Sequence, residues 1–288
     1  QELVNFMEHI TNLNRERNKQ IITQAKELNT LLLKNNIIPI FLKGTGNLLE
    51  GLYEDIGERM IGDIDFLLPK KDCCRAFKIL KNDNYYTPET LLNNPPDHRH
   101  FPRLVKQENI AAVEIHSKLL ISKYDNEFNY IVVKKDCQVI SQASVLSYAN
   151  KLNLTILSIH INDSGFYYKA ILLRNAYDVF LLSKKTSAKA AVNSLNTLNH
   201  PLNCFLASCY EVFNSVDSLE YNNTTKAAAY LSDFNSQFAN PKATHRKHKR
   251  IQMYLFLKQI LNIIYKCILY KEYRVWLFKR VTDKNWYK

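Results

Sequence analysis

Two short acidic segments hold the residues best suited to chemistry in this 288-residue chain. The first is Gly62-Asp63-Ile64-Asp65, and the apolar residues 66–68 follow it directly. Residues two apart in an extended strand point to the same side, so Asp63 and Asp65 should project together while Ile64 packs behind them. The plain alternative is a strand end with two solvated acids. Two carboxylates at the mouth of a buried strand repel each other, however, and favour a divalent cation.

The second segment is Val113-Glu114-Ile115-His116, in which Glu114 and His116 share one face of a predicted strand. A glutamate among β-branched residues costs free energy unless it is paired or binds a metal ion. The paired alternative is a salt bridge to Arg59 or Arg103. For His116, a structural role beside the carboxylate is favoured over a role as proton carrier. Three carboxylates on adjacent strands could hold two divalent ions, and Mg²⁺ suits such ligands.

Five of the six glycines lie between positions 44 and 62. The turn Lys43-Gly44-Thr45-Gly46 joins a predicted strand to a predicted helix, where backbone N–H groups can bind a phosphate oxyanion. Thr45 adds a hydroxyl group and Lys43 adds a positive charge. The alternative is a glycine-rich turn that only redirects the chain. The pattern therefore indicates a phosphate site next to the acidic pair.

Four basic residues near these segments have weaker claims. Arg59 precedes Asp63 by four positions and could clamp a phosphate or neutralise the carboxylates. His98, His100 and Arg103 lie in the loop 93–103, which contains three prolines and leads into the Glu114 strand. These loop residues are either ordinary surface residues or contacts to nucleotide or acceptor.

The elements that must position these residues form an α/β half followed by a helical half. Periodicity predicts a helix over 2–35, buried strands at 37–43, 63–68 and 110–116, a fourth strand at 130–133, and helices at 45–53 and 70–82. After about residue 140 every periodic stretch, beginning with 143–161, is typical of helix. The sequence thus predicts an α+β fold with a mixed sheet flanked by helices and an all-helical C-terminal region, divided into domains 1–140 and 141–288.

These motifs, taken in order, resemble the nucleotidyltransferases of the DNA polymerase β superfamily. The resemblance rests on residues 40–46, on Arg59, on the Asp-Ile-Asp strand and on the Glu-Ile-His strand, and it is greatest for a bacterial branch with a Leu-Lys-Gly start. It implies that Asp63, Asp65 and Glu114 are catalytic acids that bind Mg²⁺ or Mn²⁺. It also implies that Lys43, Gly44, Thr45, Gly46 and Arg59 contact a nucleoside triphosphate. One departure is Gly-Thr in place of the usual Gly-Ser, which keeps the hydroxyl.

Nearly all of the net charge of +12 lies in the C-terminal tail. Residues 1–140 carry 19 basic and 19 acidic residues, whereas residues 242–288 carry 13 basic and 2 acidic residues. Lys258 and Lys266 interrupt the apolar stretch 251–270 and make a transmembrane span improbable. The tail could close the helical core, bind RNA, bind an anionic surface or bind a protein partner.

The leading function is transfer of a nucleoside monophosphate from an NTP to a hydroxyl acceptor, with release of pyrophosphate. One alternative is a non-catalytic nucleotide-binding or scaffold module, which would have no reason to keep three carboxylates. Another is a toxin-like transferase that docks on tRNA or protein through the basic tail. The six cysteines form no CxxC pair, which favours reduced thiols and a cytoplasmic location. The acceptor and the preferred base stay open.

Overall fold

The computed structural model describes residues 1–88 and 95–282. These residues form one five-stranded sheet, and its strands are β1 (Ile40–Phe41), β2 (Asp63–Leu67), β3 (Ala112–His116), β4 (Gln138–Ile140) and β5 (Ala143–Val145). The order across the sheet is β3-β2-β1-β5-β4. The sheet is mixed, because β1 pairs antiparallel with β2 and parallel with β5, while β2 and β3 are parallel.

Helices flank this sheet and make up most of the described chain. The N-terminal half contributes α1 (Glu2–Lys34), α2 (Lys43–Glu50), α3 (Lys70–Asn82) and α4 (Tyr130–Lys134). The C-terminal half contributes α5 (Tyr148–Leu157), α6 (Gly165–Tyr168), α7 (Leu173–Ser183), α8 (Ala188–Asn193), α9 (Asn199–Val212), α10 (Thr225–Ala239), α11 (Pro241–Leu269) and α12 (Lys271–Thr282). The predicted α+β fold with a helical C-terminal region is confirmed.

The alternation of β2 decides which of its faces is available for chemistry. Ile64 and Phe66 are fully buried on the face that packs into the core, where Ile21 of α1 is also buried. Asp63 and Asp65 necessarily take the opposite face. The core therefore fixes the direction of both carboxylates.

Two local predictions were wrong. Residues 130–133 were expected to form a strand but lie in α4, because the Asn129 side chain caps that helix by accepting hydrogen bonds from the N–H groups of Ile131 and Val132 at 2.9 and 3.2 Å. The helix expected from residue 143 begins only at Tyr148, since residues 143–145 pair with β1 as β5. The sheet thus extends past residue 140, and the division into domains 1–140 and 141–288 stays a prediction.

The long basic helix does not close the core of the helical half, contrary to the favoured interpretation of its sequence. Among the described residues, α11 contributes none to the buried set. It packs along α10 and α6 and turns back as α12. Arg274 holds this reversal by donating from Nη1 to the carbonyl oxygen of Cys267 at 2.9 Å, which satisfies an end carbonyl of α11. Within residues 1–88 and 95–282, no helix combines the length and the apolar character needed to cross a bilayer.

Candidate active site

The pairing of β2 with β3 brings the two acidic segments together. Asp65 lies directly opposite Glu114 in the parallel register, and Leu67 lies opposite His116. Paired residues of neighbouring strands point to the same face, so Asp63, Asp65, Glu114 and His116 share one side of the sheet. The sequence motifs become neighbours through this register.

The tightest group on this face consists of Asp65, Glu114 and His116. Each offers one ligand atom, and these atoms lie within 4.8 Å of one another. Nε2 of His116 lies 2.7 Å from Oδ1 of Asp65 and 3.7 Å from Oε2 of Glu114. Asp65 and His116 are buried. Two carboxylates and one imidazole at this spacing are suitable ligands for a divalent cation.

Asp63 lies on the same face but outside that tight group. Its carboxylate forms an ion pair with the guanidinium of Arg103. Burial raises the pKa of Asp63, the charge of Arg103 opposes that rise, and the neighbouring Asp65 and Glu114 carboxylates add to it. The expected trio of acids is therefore present as a close pair, Asp65 and Glu114, joined by His116, with Asp63 beside it.

Asp65 is the acid of this group whose pKa is lowered most. Burial by itself would raise its pKa, but the nearby charge of Lys43 and the hydrogen bond from His116 outweigh burial and hold the pKa well below its usual range. Lys43 Nζ lies 2.8 Å from Asp65 Oδ1. Asp65 is therefore ionised at neutral pH, with a cation already in contact.

Glu114 faces histidines rather than Arg59 or Arg103. Burial would raise its pKa, but the hydrogen bond with His116 and the charge of His100 lower it overall. Nε2 of His100 lies 3.9 Å from Oε2 of Glu114. Neither of the arginine salt bridges considered from the sequence is formed, because Arg103 pairs with Asp63 and Arg59 pairs elsewhere.

The described part of the proline-containing loop, residues 95–103, runs along the edge of β3 next to these acids. The N–H of Phe101 donates to the carbonyl oxygen of Ile115 at 2.9 Å. The His100 ring lies between those of His98 and His116, with ring centroids 4.3 and 5.3 Å away. His98, His100 and Arg103 are thus all placed at the site, while residues 93 and 94 of the predicted loop lie outside the described residues.

The glycine-rich segment forms the first turn of α2 rather than a separate turn before it. Thr45 is buried, and its hydroxyl donates to the carbonyl oxygen of Asp63 at 2.9 Å. A Cβ atom on Gly46 would lie 2.8 Å from the carbonyl oxygen of Phe41, so only glycine fits there. Gly44 lies in the same helical turn. The segment therefore locks the N-terminus of α2 onto the ends of β1 and β2, beside Asp63.

Arg59 lies away from the acids, in an ion pair with the helical half. Its Nε donates to both carboxylate oxygens of Asp178 on α7 at 3.2 Å, and the hydroxyl of Tyr53 donates to the same carboxylate at 2.9 Å. Asp178 is buried, so this ion pair lies inside the protein. Contact of Arg59 with a nucleotide stays a prediction.

Two more charged residues lie at the site: Arg99, which the sequence placed in the candidate contact loop with His98 and His100, and Asp163, which sequence reasoning missed. Arg99 is largely buried, which lowers its pKa, and its guanidinium is within electrostatic reach of Asp163, Glu114 and Asp65. Burial raises the pKa of Asp163, whereas Arg99 and Lys43 oppose that rise. The signal for Arg99 was its place between His98 and His100. Asp163 follows a helical stretch far along the chain, and nothing near it in sequence pointed to the site.

Comparison with known proteins shows the family of this chain. A family model described as "Uncharacterised nucleotidyltransferase" matches residues 1–213. The chain therefore belongs to this family, and the membership supports nucleotidyl transfer as its general activity. The matched region contains the whole sheet and every acid described above, whereas α10, α11 and α12 lie beyond it.

Solved structures give a more distant likeness. JHP933 from Helicobacter pylori is 14% identical with a TM-score of 0.36, and the match covers 84% of this chain and 97% of that one. A second H. pylori chain, described as a candidate nucleotidyltransferase, is 14% identical with a TM-score of 0.35 over 80% of this chain and 96% of its own. No curated protein matches the chain.

Proposed function

We propose that this protein transfers a nucleoside monophosphate from an NTP to a hydroxyl acceptor in a reaction that depends on a divalent metal ion. The acceptor oxygen forms a bond to the α-phosphorus, the bond from that phosphorus to the bridging oxygen breaks, and pyrophosphate leaves. The proton of the acceptor hydroxyl passes to solvent water. The observation that carries the proposal is the group of Asp65, Glu114 and His116, whose ligand atoms lie within 4.8 Å of one another.

The chemistry of these donors fits a divalent cation such as Mg²⁺ or Mn²⁺. Asp65, Glu114 and His116 would hold the ion. The neighbouring carboxylate of Asp63 would bind a second ion or an ion that arrives with the substrate. When bound, the ion neutralises charge on the triphosphate and lowers the pKa of an acceptor hydroxyl. The ligand role of Asp63 and Glu114 follows the family resemblance, whereas His116 is added by the geometry.

The positive side chains around the acids are suited to the triphosphate. Lys43 and Arg103 pair with Asp65 and Asp63. A cation bound by those carboxylates would replace the two ion pairs and leave both side chains to contact phosphate oxygens. Arg99 adds a third positive charge from the loop. The first-turn N–H groups of Gly44 and Thr45 in α2 offer further donors, as helix N-termini do for anions.

The loop histidines have positioning roles in this proposal, and His116, the third candidate ligand, also holds Asp65 in place while no ion is bound. His116 orients Asp65 through the 2.7 Å contact of its Nε2 with Oδ1. His100 stands beside Glu114 and packs against the His116 ring. His98 in turn contacts His100, since their ring centroids are 4.3 Å apart. The loop that carries them borders the acids and is the candidate contact for the acceptor.

A labelling experiment tests the activity and its metal dependence. The protein is incubated with each labelled NTP and either Mg²⁺ or Mn²⁺ in a cell extract, beside the double variant Asp63→Asn/Asp65→Asn. The matched control is Asp72→Asn, whose carboxylate pairs only with Arg75 on the surface of α3 at 3.4 Å. We expect a labelled acceptor and released pyrophosphate with the wild type and the control, and neither with the double variant.

Metal binding is measured separately, by titration of Mn²⁺ into the protein with electron paramagnetic resonance as the readout. The double variant should bind Mn²⁺ more weakly by about 100-fold, because it loses two anionic ligands. Equal labelling by the wild type and the double variant would overturn the proposed mechanism. Thermal unfolding of each variant shows that the fold is retained.

A further inference from the structure

Helix α11 turns its polar side toward the protein. Lys258 Nζ donates to the hydroxyl of Tyr167 on α6 at 3.3 Å. Lys266 Nζ donates to Oδ2 of Asp97 at 2.5 Å and to the hydroxyl of Tyr273 at 3.1 Å. Positions 258 and 266 lie on one side of the helix, together with 259 and 262. The two lysines of the apolar stretch therefore reach toward the body of the protein, as do the partly buried Ile251, Leu255 and Ile263.

The opposite side of α11 is apolar and faces away from the body. Met253, Leu257, Ile260, Ile264 and Ile268 recur at intervals of three and four residues, so they form one row along the helix. All five are exposed, and Ile268 has 71% of its surface accessible. Tyr254, Leu261 and Tyr265 widen the row and are exposed as well. A contiguous apolar patch of this length indicates an interaction surface.

The same row begins with positive charge. Lys242, Arg246 and the adjacent pair Lys249 and Arg250 precede Met253 on the same side of the helix, and all four are exposed. Lys247, on another side of the helix, pairs with Asp233 at 3.3 Å. We call the nine residues from Lys242 to Ile268 in this row the outer stripe. Its first four residues are basic, its last five are apolar, and all nine lie on one solvent-facing side of the helix.

We propose that the outer stripe docks α11 on an anionic lipid bilayer. The four basic side chains would contact headgroup phosphates, and the aliphatic side chains would enter the boundary of the acyl chains. The basic part of the stripe then contacts charged headgroups, and the aliphatic part contacts acyl chains. The helix lies along the surface in this arrangement. The proposal does not depend on the nucleotidyl transfer proposed above.

Two other occupants fit the stripe less well. Single-stranded RNA would pair with the four cations and stack on Tyr254 and Tyr265, but it would leave the aliphatic row from Leu257 to Ile268 in water. A second copy of the chain would cover the aliphatic row, but packing stripe on stripe would also bury four cations that lack acidic partners on this face. A bilayer surface satisfies both parts at once.

The docking surface is physically joined to the candidate active site. Asp97, which accepts hydrogen bonds from Lys266 and Tyr273, comes directly before His98, Arg99 and His100 in the site loop. Its carboxylate also accepts from the hydroxyl of Ser122 at 3.2 Å. A bilayer bound to the outer stripe would therefore have a fixed relation to the loop that borders the acids.

Co-sedimentation of the full chain with vesicles tests the proposal. We expect binding to phosphatidylcholine–phosphatidylglycerol vesicles and little binding to pure phosphatidylcholine. Replacing Lys242, Arg246, Lys249 and Arg250 by Gln should weaken binding by about 100-fold or more, since each basic residue near an anionic surface contributes to affinity. The control replaces four exposed lysines elsewhere, Lys26, Lys34, Lys71 and Lys78, by Gln and changes the net charge equally.

The apolar part has its own pair of variants. Leu257→Ser/Ile264→Ser should weaken vesicle binding by about 10-fold or more. The control Ile131→Ser/Val139→Ser removes two apolar side chains that are equally exposed on α4 and β4, and should bind as the wild type does. Circular dichroism checks that every variant is folded.

Three results would overturn the proposal. The first is equal vesicle binding by the stripe variants and their controls. The second is binding of a single-stranded RNA oligomer, but not of anionic vesicles, that the four-Gln variant loses. The third is a wild-type dimer in light scattering that becomes a monomer in Leu257→Ser/Ile264→Ser, with no vesicle binding.

Discussion

The acid cluster on the sheet and the outer stripe of α11 differ in whether their charged side chains have partners within the protein. In the cluster each acid touches a positive or imidazole partner: Lys43 and His116 contact Asp65, and Arg103 contacts Asp63. On the stripe the four cations point to solvent beside exposed aliphatic side chains. Because its charges are already paired within the protein, the cluster is stable without a ligand. A bound ligand could replace these internal partners. Within residues 1–88 and 95–282 the stripe has no comparable partners, which is why we propose an external one.

The largest expected effect is on catalysis, at the centre of the cluster. Asp65→Asn should lower the rate of nucleotidyl transfer by about 1000-fold, because several kcal/mol of transition-state stabilisation depend on a charged metal ligand and each tenfold loss corresponds to about 1.4 kcal/mol. The rate of labelled product formation with the NTP found in the labelling experiment is the measurement.

Asp63→Asn and Asp72→Asn make this result interpretable. Asp63→Asn should lower the rate less than Asp65→Asn does, because Asp63 lies outside the tight ligand group. Asp72→Asn should leave the rate unchanged. A loss with Asp63→Asn as large as with Asp65→Asn would show that both acids act as equal ligands and that His116 is not the third one.

The next effect is on stability, at the ion pair between the two halves. Asp178→Asn leaves the buried guanidinium of Arg59 without its counter-charge, so the free energy of unfolding should fall by about 3 kcal/mol. Urea unfolding followed by circular dichroism measures this change. The control is Asp233→Asn, whose pair with Lys247 is half-exposed and should contribute less than about 1 kcal/mol.

The same pair tests whether Arg59 contacts nucleotide. Arg59→Met should destabilise the fold while leaving the affinity of the remaining folded protein for NTP unchanged. A variant that unfolds normally but loses NTP affinity would restore the sequence-based interpretation of Arg59 as a phosphate clamp. The two readouts move independently, so either outcome is decisive.

The parts of the fold that sequence predicted well are those with strong local patterns. Alternation of apolar and acidic residues in β2 set both the strand and the face of Asp63 and Asp65, because a strand with a buried Ile64 and Phe66 has only one register in the core. The spacing of Glu114 and His116 did the same for β3. Helices such as α3 followed from their periodicity and from Pro69 before them.

The pairings between distant segments were beyond the sequence. Arg59 is four residues from Asp63 yet pairs with Asp178, 119 positions away. No local sequence pattern predicts a pairing between residues so far apart in the chain. The short strand β5 was missed because residues 143–145 carry no alternation and become a strand only by pairing with β1. For α11, composition revealed the polar and apolar sides but not which of them faces the body.

A pH effect of intermediate size should come from the helical half. His160 is fully buried, with Nδ1 2.8 Å from the carbonyl oxygen of Pro201, and burial lowers its pKa to about 4. An unfolded histidine titrates near 6.5, so between about pH 6.5 and 4 the unfolded state binds a proton that the folded state does not. Stability should therefore be fully present above pH 6.5 and fall by about 3 kcal/mol as the pH drops to 4.

Comparison with His160→Gln isolates this contribution. Urea unfolding of both proteins across this pH range should show a smaller loss in the variant, even though the variant is less stable at neutral pH. Parallel pH profiles for the two proteins would show that His160 is protonated in the folded state and that its surroundings are more open than the structure has them.

The smallest effects separate the two sides of α11. Lys266→Ala removes a donor from Asp97 and should lower the free energy of unfolding by about 1 kcal/mol, whereas Ile264→Ser should change it by less than about 0.5 kcal/mol because Ile264 is exposed. An ordinary amphipathic helix would give the reverse order, since its apolar side packs on the core. Urea unfolding at neutral pH without lipid measures both changes, and a larger loss for Ile264→Ser would mean that the aliphatic row of α11, and not its polar side, faces the protein.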